Sequence, residues 1–213
     1  MGRFFREPAS GFSHLAGALL SVAALASLLY VAISNRDTWQ IVSFSIFGAS
    51  MILLYSASAT YHLVNASDKV VKILQKIDHS MIFVLIAGTY TPICLTLLRG
   101  RLGYWLLVLI WSCAAAGIVM KLFFFDIPRL LYTGIYLIMG WIAVFVIVPL
   151  YRAGGPLPLL WLLIGGLMYT AGGIIYAVKK PDIFPGWLGF HEIFHIFVIL
   201  GSASHYVMIL RFC

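Results

Sequence analysis

Seven apolar runs of about 18 residues or more, at 12–34, 39–61, 78–98, 103–122, 131–150, 157–178 and 189–210, take up most of this 213-residue chain. A run of that length crosses the hydrocarbon core of a bilayer as a helix. Within lipid every backbone polar group must be satisfied by the protein itself, so only helices and closed barrels can span. A barrel needs apolar and polar residues to alternate over segments of about ten, and stretches such as "WLLVLIWSCAAAGIVM" and "LIMGWIAVFVIVPL" show no alternation. Composition agrees: 62% of residues are hydrophobic and 10% are charged, whereas an ordinary soluble domain is about a quarter charged. The loops are too short for a further domain. The chain reads as all-α, a single seven-transmembrane-helix bundle over 1–213.

The net charge of +7 orients such a bundle; it does not make a nucleic-acid surface. With the N-terminus inside, Arg3, Arg6, Lys69, Lys72, Lys76, Lys121, Arg129, Lys179 and Lys180 fall on the cytoplasmic side. Arg36, Arg99, Arg101, Arg152 and Arg211 fall on the other. Every lysine is then inside, and the positive-inside rule gives a cytoplasmic N-terminus and an external C-terminus. Arg3 and Arg6 followed by an apolar run and "ALA" mimic a signal peptide, but the run continues through "SLLYVAIS", beyond a 7–15-residue core. It reads as a retained first span of a multi-pass protein of the bacterial inner membrane. Cys94, Cys113 and Cys213 are odd in number and far apart, which suits neither a disulfide framework nor a thiolate metal site.

"DKVVKILQKI" carries Lys69, Lys72 and Lys76 among Val70, Val71, Ile73, Leu74 and Ile77, the pattern of a short helix lying in the interface. The glycines of "IGGLMYTAGG" suit close helix packing. Trp105, Trp111, Trp141, Trp161 and Trp187 read as interface anchors or bundle packing.

Ionisable residues inside spans are costly and point to function. His62 closes the second span, Asp78 opens the third, and His191 and His195 begin the seventh. In this topology all four lie in one thin layer near the cytoplasmic face. His191 and His195 are i and i+4, so both rings project from one face of a helix. Ser58 stands one turn from His62. Three imidazoles with an open fourth position are the donor set of a catalytic zinc, which acidifies water, and Asp78 is placed to hold or deprotonate that water. The plainer alternative, helix-end histidines each bonded to a carbonyl, stays open here. His205 lies ten residues past His195, about 15 Å deeper, too far for the same ion. His14 shares the depth without a spacing partner, and His79 is rotated about 100° from Asp78.

"SASATYH" (Ser58, His62), "KIDHSMIFVLIAGTYTP" (Asp78), "HEIFHIFVILGSASHY" (His191, His195) and the early "EPASGFSHLAGA" together resemble the hemolysin III family, the bacterial branch of the progestin and adipoQ receptor superfamily. The resemblance runs over essentially the whole chain. It implies seven helices and a zinc held by His62, His191 and His195, with Asp78 at the water and Ser58 beside it. "HEIFH" also satisfies the H-E-x-x-H pattern of zinc proteases. In the related adiponectin receptors, however, no acid follows the first histidine. Intramembrane zinc proteases also take a later carboxylate ligand, and no Asp or Glu follows His195. Glu192 is expected to face headgroups or a basic neighbour.

Two functions are consistent with these residues and with the resemblance. One is a zinc-dependent hydrolase of a ceramide-like or other acyl-lipid amide, with membrane lipids as its partners. The other is a non-enzymatic sensor or membrane-disrupting protein in which zinc staples helices together. A channel lacks a ring of charges or a pair of broken helices. Reporter fusions are expected to place the 62–77 and 179–188 loops inside and Cys213 outside. External labelling at Lys72 would reverse the orientation.

Overall fold

The structure, a computed structural model, describes residues 4–124, 127–184 and 188–213; Arg3 and Trp187 lie outside them. Its order is α1 (Pro8–Ser34), α2 (Thr38–Leu63), α3 (Asp68–Leu95), α4 (Arg101–Phe123), α5 (Arg129–Trp141), a 3-10 turn (Ile142–Val146), α6 (Ile147–Gly154), α7 (Pro156–Val178) and α8 (Phe190–Phe212). Six segments are long and apolar enough to cross a membrane: α1, α2, α4, the Arg129–Gly154 segment, α7 and α8. The chain is therefore an all-helical, multi-pass membrane protein. α3 is as long as these, but its first turns carry Asp68, Lys69, Lys72 and Lys76.

Local chemistry sets the helix ends. Pro8 and Pro156 occupy first-turn positions, where a missing N–H costs nothing. Asp37 caps α2 by accepting from the Trp39 and Gln40 amides at 2.8 and 3.2 Å. Gly155 turns the chain from α6 into α7 at φ +76°, a backbone angle that disfavours a side chain.

Two expectations need correction. The lysine-bearing stretch 69–77 is no separate interfacial helix; it forms the opening turns of α3. Neither glycine nor proline occurs between Asp68 and Gly88, so nothing stops the helix from propagating. The run 131–150 is also not one unbroken helix. Pro149 has no N–H and its ring crowds the carbonyl four residues back, which is that of Phe145, inside the 3-10 turn. Tyr90 of α3 braces the break: its hydroxyl accepts from the Ala143 amide at 2.7 Å and donates to the Gly140 carbonyl at 2.7 Å.

α1 packs between α2 and α8, α2 against α3, α3 against α4, and α7 against α8, while α5 touches α3 and α7. Small residues allow the close approaches. A methyl group at Gly88 would strike Ser50 of α2, and one at Gly117 would strike the Phe83 ring. In the "IGGLMYTAGG" stretch Gly165 meets His205, Gly172 meets Phe197 and Gly173 meets Leu137, which is the packing role expected of them. Trp111 and Trp141 serve the bundle by donating to Thr91 and Thr170 at 3.2 and 3.0 Å, whereas Trp105 is 65% exposed and faces outward. Leu19, Tyr30 and Phe145 also face outward, while Ser10, His14, Ser58, His62, Asp78 and His195 are buried. Polar groups inside and apolar groups outside is the arrangement a bilayer demands.

Tyr90→Phe should lower stability by about 1–3 kcal/mol by stranding the Ala143 amide and the Gly140 carbonyl. Thermal unfolding in detergent measures it, and an unchanged midpoint would show that the break in α5 needs no brace.

Candidate metal centre

The last turn of α2 and the first two turns of α8 meet at one end of the bundle, where α1 and α3 also begin. His62 comes from α2, and His191 and His195 from α8. One ring nitrogen from each lies within 4.8 Å of the others, and His62 Nε2 is 3.2 Å from His191 Nε2. Ring centroids are 4.6–4.9 Å apart. His62 and His195 are buried and His191 half-buried. The cluster can hold a metal ion.

The far sides of the rings test whether it is prepared for one. His62 Nδ1 donates to the Glu7 carboxylate at 2.5 Å, and the Glu7 amide donates back to the His62 carbonyl at 2.9 Å. His195 Nδ1 faces the Ser10 carbonyl at 3.2 Å and the Ser13 hydroxyl at 3.3 Å. A carbonyl only accepts, so Nδ1 of His195 carries the proton. In both rings Nε2 is then left with a lone pair directed into the cluster. Partners of this kind fix the tautomer and the orientation of metal-ligating histidines. The donor set therefore fits a metal such as zinc, which takes imidazole nitrogen. Glu7 lies before the first helix, and the bond from His62 holds its carboxyl below the usual carboxylate range against the opposing effect of burial.

Sequence reasoning passed over this supporting layer. Ser10 and His14 stand at i and i+4, on one face of α1, and Glu7 immediately precedes that helix. A polar stripe on an otherwise apolar helix was the available signal. His14, set aside for want of a spacing partner, stacks flat on His195, with centroids 3.6 Å apart and planes 9° from parallel, and its edge meets Tyr55.

Ser58 of α2 and the buried Asp78 carboxyl of α3 stand close together across the α2–α3 contact. Both face a cavity of about 190 Å³ that His14, His79, His191 and His195 also line. It extends between α3, α5, α7 and α8 as far as Leu162 and His205. An apolar cavity of about 150 Å³ already admits a small hydrocarbon. Glu192 makes contacts that its position in the sequence did not show. Its carboxylate is engaged within the protein: one oxygen accepts from Ser10 Oγ at 2.6 Å and the other from the Gly189 amide at 3.0 Å. It caps α8 and ties it to α1. His205 is bonded to the Leu162 carbonyl at 3.3 Å, remote from the triad as its position implies.

These features define a helical membrane protein with a buried three-histidine site at one end of the bundle and an apolar cavity beside it. The profile of the family described as "Haemolysin-III related" matches residues 3–206. The "Hemolysin-3 homolog" of Bacillus subtilis (strain 168) is 44% identical over 207 residues, covering 97% of this chain and 94% of that protein. "Hemolysin-3" of Bacillus cereus is 39% identical over 211 residues, covering 99% and 93%. More distantly, the human "Monocyte to macrophage differentiation factor" is 25% identical over 221 residues, covering 97% and 90%. The chain belongs to the haemolysin III family of the progestin and adipoQ receptor superfamily, as its motifs suggested.

His62→Ala, His191→Ala and His195→Ala should each abolish metal retention. Glu7→Gln, which keeps the shape of the side chain but removes its charge, should weaken retention roughly 10–100-fold. Metal content after titration with a chelator reads both effects, and full occupancy in the three alanine variants would rule the site out.

Proposed function

We propose that the protein is a zinc-dependent hydrolase of acyl-lipid amides in the bacterial plasma membrane, with seven spans and its metal site near the cytoplasmic face. One observation carries the reading: the Ser58–Asp78 pair lies beside the three-histidine cluster at the head of a largely apolar cavity. A metal staple alone would need neither the buried acid nor the cavity.

Bound at these histidines, zinc would supply Lewis acidity and lower the pKa of water toward neutrality. The chain's own residues would do the rest. Asp78 would take a proton from the attacking water and deliver it to the departing amine. While Asp78 is ionised, the Ser58 hydroxyl donates to it. Once Asp78 carries the proton, it can donate to Ser58 Oγ in turn. The Ser58 proton is thereby freed to stabilise the oxyanion forming on the amide carbonyl. Leu54, Ile82, Leu85 and Val198 line the cavity farther in and would shelter the acyl chain from water.

A second reading has its own support. Through Glu7, Ser10 and Glu192 the centre joins α1, α2 and α8, the geometry of a staple that reports on helix arrangement in a non-enzymatic sensor.

Asp78→Asn and Glu192→Gln separate the readings. Under the hydrolase proposal, Asp78→Asn keeps its zinc but loses about 10²–10⁴-fold in kcat on a fluorogenic N-acyl lipid, while Glu192→Gln stays near wild type. Loss in Glu192→Gln with a normal Asp78→Asn would assign the wrong acid. Absence of turnover in zinc-loaded wild-type protein across acyl amides would favour the sensor.

A further inference from the structure

α3 is 28 residues long, about 42 Å at the helical rise, whereas the hydrocarbon core of a bilayer is roughly 30 Å thick. Its last residues, Pro92, Ile93, Cys94 and Leu95, are buried in the bundle. The surplus length therefore falls at the start, in the turns that carry Lys69, Lys72 and Lys76. Those turns stand at the same end of the bundle as the three-histidine cluster, since α2 ends at Leu63, just past His62, and α3 begins at Asp68.

Two stripes divide the outer surface of these turns. Val70, Ile73 and Ile77 are 42%, 49% and 41% exposed, and their i, i+3, i+7 spacing puts them on one face. Lys69, Lys72 and Lys76 repeat that spacing one residue earlier, about 100° around the helix. Lys69 and Lys72 are exposed, and Lys76 is half-buried and donates to the Leu122 carbonyl of α4 at 2.8 Å. Asp68 is the one acid in the stretch 68–77, so the stripe keeps a positive excess. Val71 and Leu74 point the other way and are half-buried. The apolar and the basic stripe thus lie side by side, both turned away from the bundle.

This pairing selects its occupant. A soluble anion would meet the lysines but leave the valine–isoleucine stripe uncovered. A lipid without net charge would cover that stripe but bring no net countercharge. An anionic phospholipid does both, because lysine stems lie along apolar surface while their ammonium groups reach the phosphate level, and basic side chains near the headgroups attract anionic lipid. We infer that the opening turns of α3 bind an anionic phospholipid, with its phosphate at Lys69 and Lys72 and the upper part of an acyl chain along Val70, Ile73 and Ile77. The site is distinct from the histidine cluster and depends neither on a metal nor on hydrolysis. Lys72 precedes Asp78 by six residues, about 9 Å on the same helix, so the bound headgroup stands next to the layer that holds the buried acid.

Native mass spectrometry of the full-length protein in detergent tests this, by titration with phosphatidylglycerol and with phosphatidylcholine of the same acyl chains. Wild type should bind the anionic lipid roughly 20-fold more tightly, from about fivefold per lysine. Lys69→Gln combined with Lys72→Gln should remove that preference and leave the weak binding of phosphatidylcholine unchanged. Lys179→Gln combined with Lys180→Gln removes the same charge from exposed positions at the end of α7 and should keep most of the preference. Equal binding of the two lipids by wild type would overturn the site, as would a preference that survives the Lys69/Lys72 double variant. An equal loss in both double variants would overturn it too, because net charge alone would then explain the effect. Displacement of the lipid by glycerol phosphate at comparable concentration would show a small-anion site and overturn the role of the apolar stripe. All four lysines lie outside the buried core, and the wild-type comparison stands on its own if a variant fails to fold.

Discussion

The bilayer leaves a polar side chain no water to turn to, so one buried in this bundle is stabilised by a partner inside the protein. That constraint organises the structure. Glu7 pairs with His62, Ser10 with Glu192, and Tyr90 with the interrupted backbone of the Arg129–Gly154 segment. Each pair joins segments far apart in the chain. Hydrogen bonds between membrane helices average only about 0.6 kcal/mol each, too little to hold the bundle together. Close packing at Gly48, Gly88 and Gly117 supplies the cohesion. The polar pairs instead penalise wrong registers, because a slip of one turn would strand several of them at once.

The metal centre is a product of that registration. α8 supplies two of the clustered histidines by its own periodicity, but the third comes from the end of α2, and the groups that orient the rings come from the start of α1 and the residue before it. A long-range clasp between residues 7 and 62 thus prepares a site completed by residues 191 and 195. Where the helix rule breaks, in the Arg129–Gly154 segment, the cavity has a wall of irregular backbone held by one tyrosine hydroxyl. Non-helical backbone at membrane depth is tolerated where it lines a cavity, and Ala143 and Val144 do so here.

Much of this was legible in advance. Run length and the want of alternation imply helices, and the i, i+4 spacing of His191 and His195 puts two imidazoles on one face without reference to any fold. The shared depth of His62 follows from counting spans. Glu7 and His14 escaped because depth and spacing along one helix do not reveal which face of a neighbour they meet. The contact of Glu192 escaped for the same reason: its charge suits a helix start, but the serine it binds lies 182 residues away.

The sequence by itself determined the class of structure, since twenty-odd apolar residues in lipid have no alternative to a helix, and it singled out three histidines that the structure brings together in a cluster able to hold a metal ion. Only the tertiary structure decided which nitrogen of each ring faces the cluster, that α1 supplies the orienting layer, and that the cavity runs on from Asp78 to His205. Those properties belong to contacts between helices far apart in the chain, and a helix's own periodicity fixes the direction of a side chain without fixing what stands opposite.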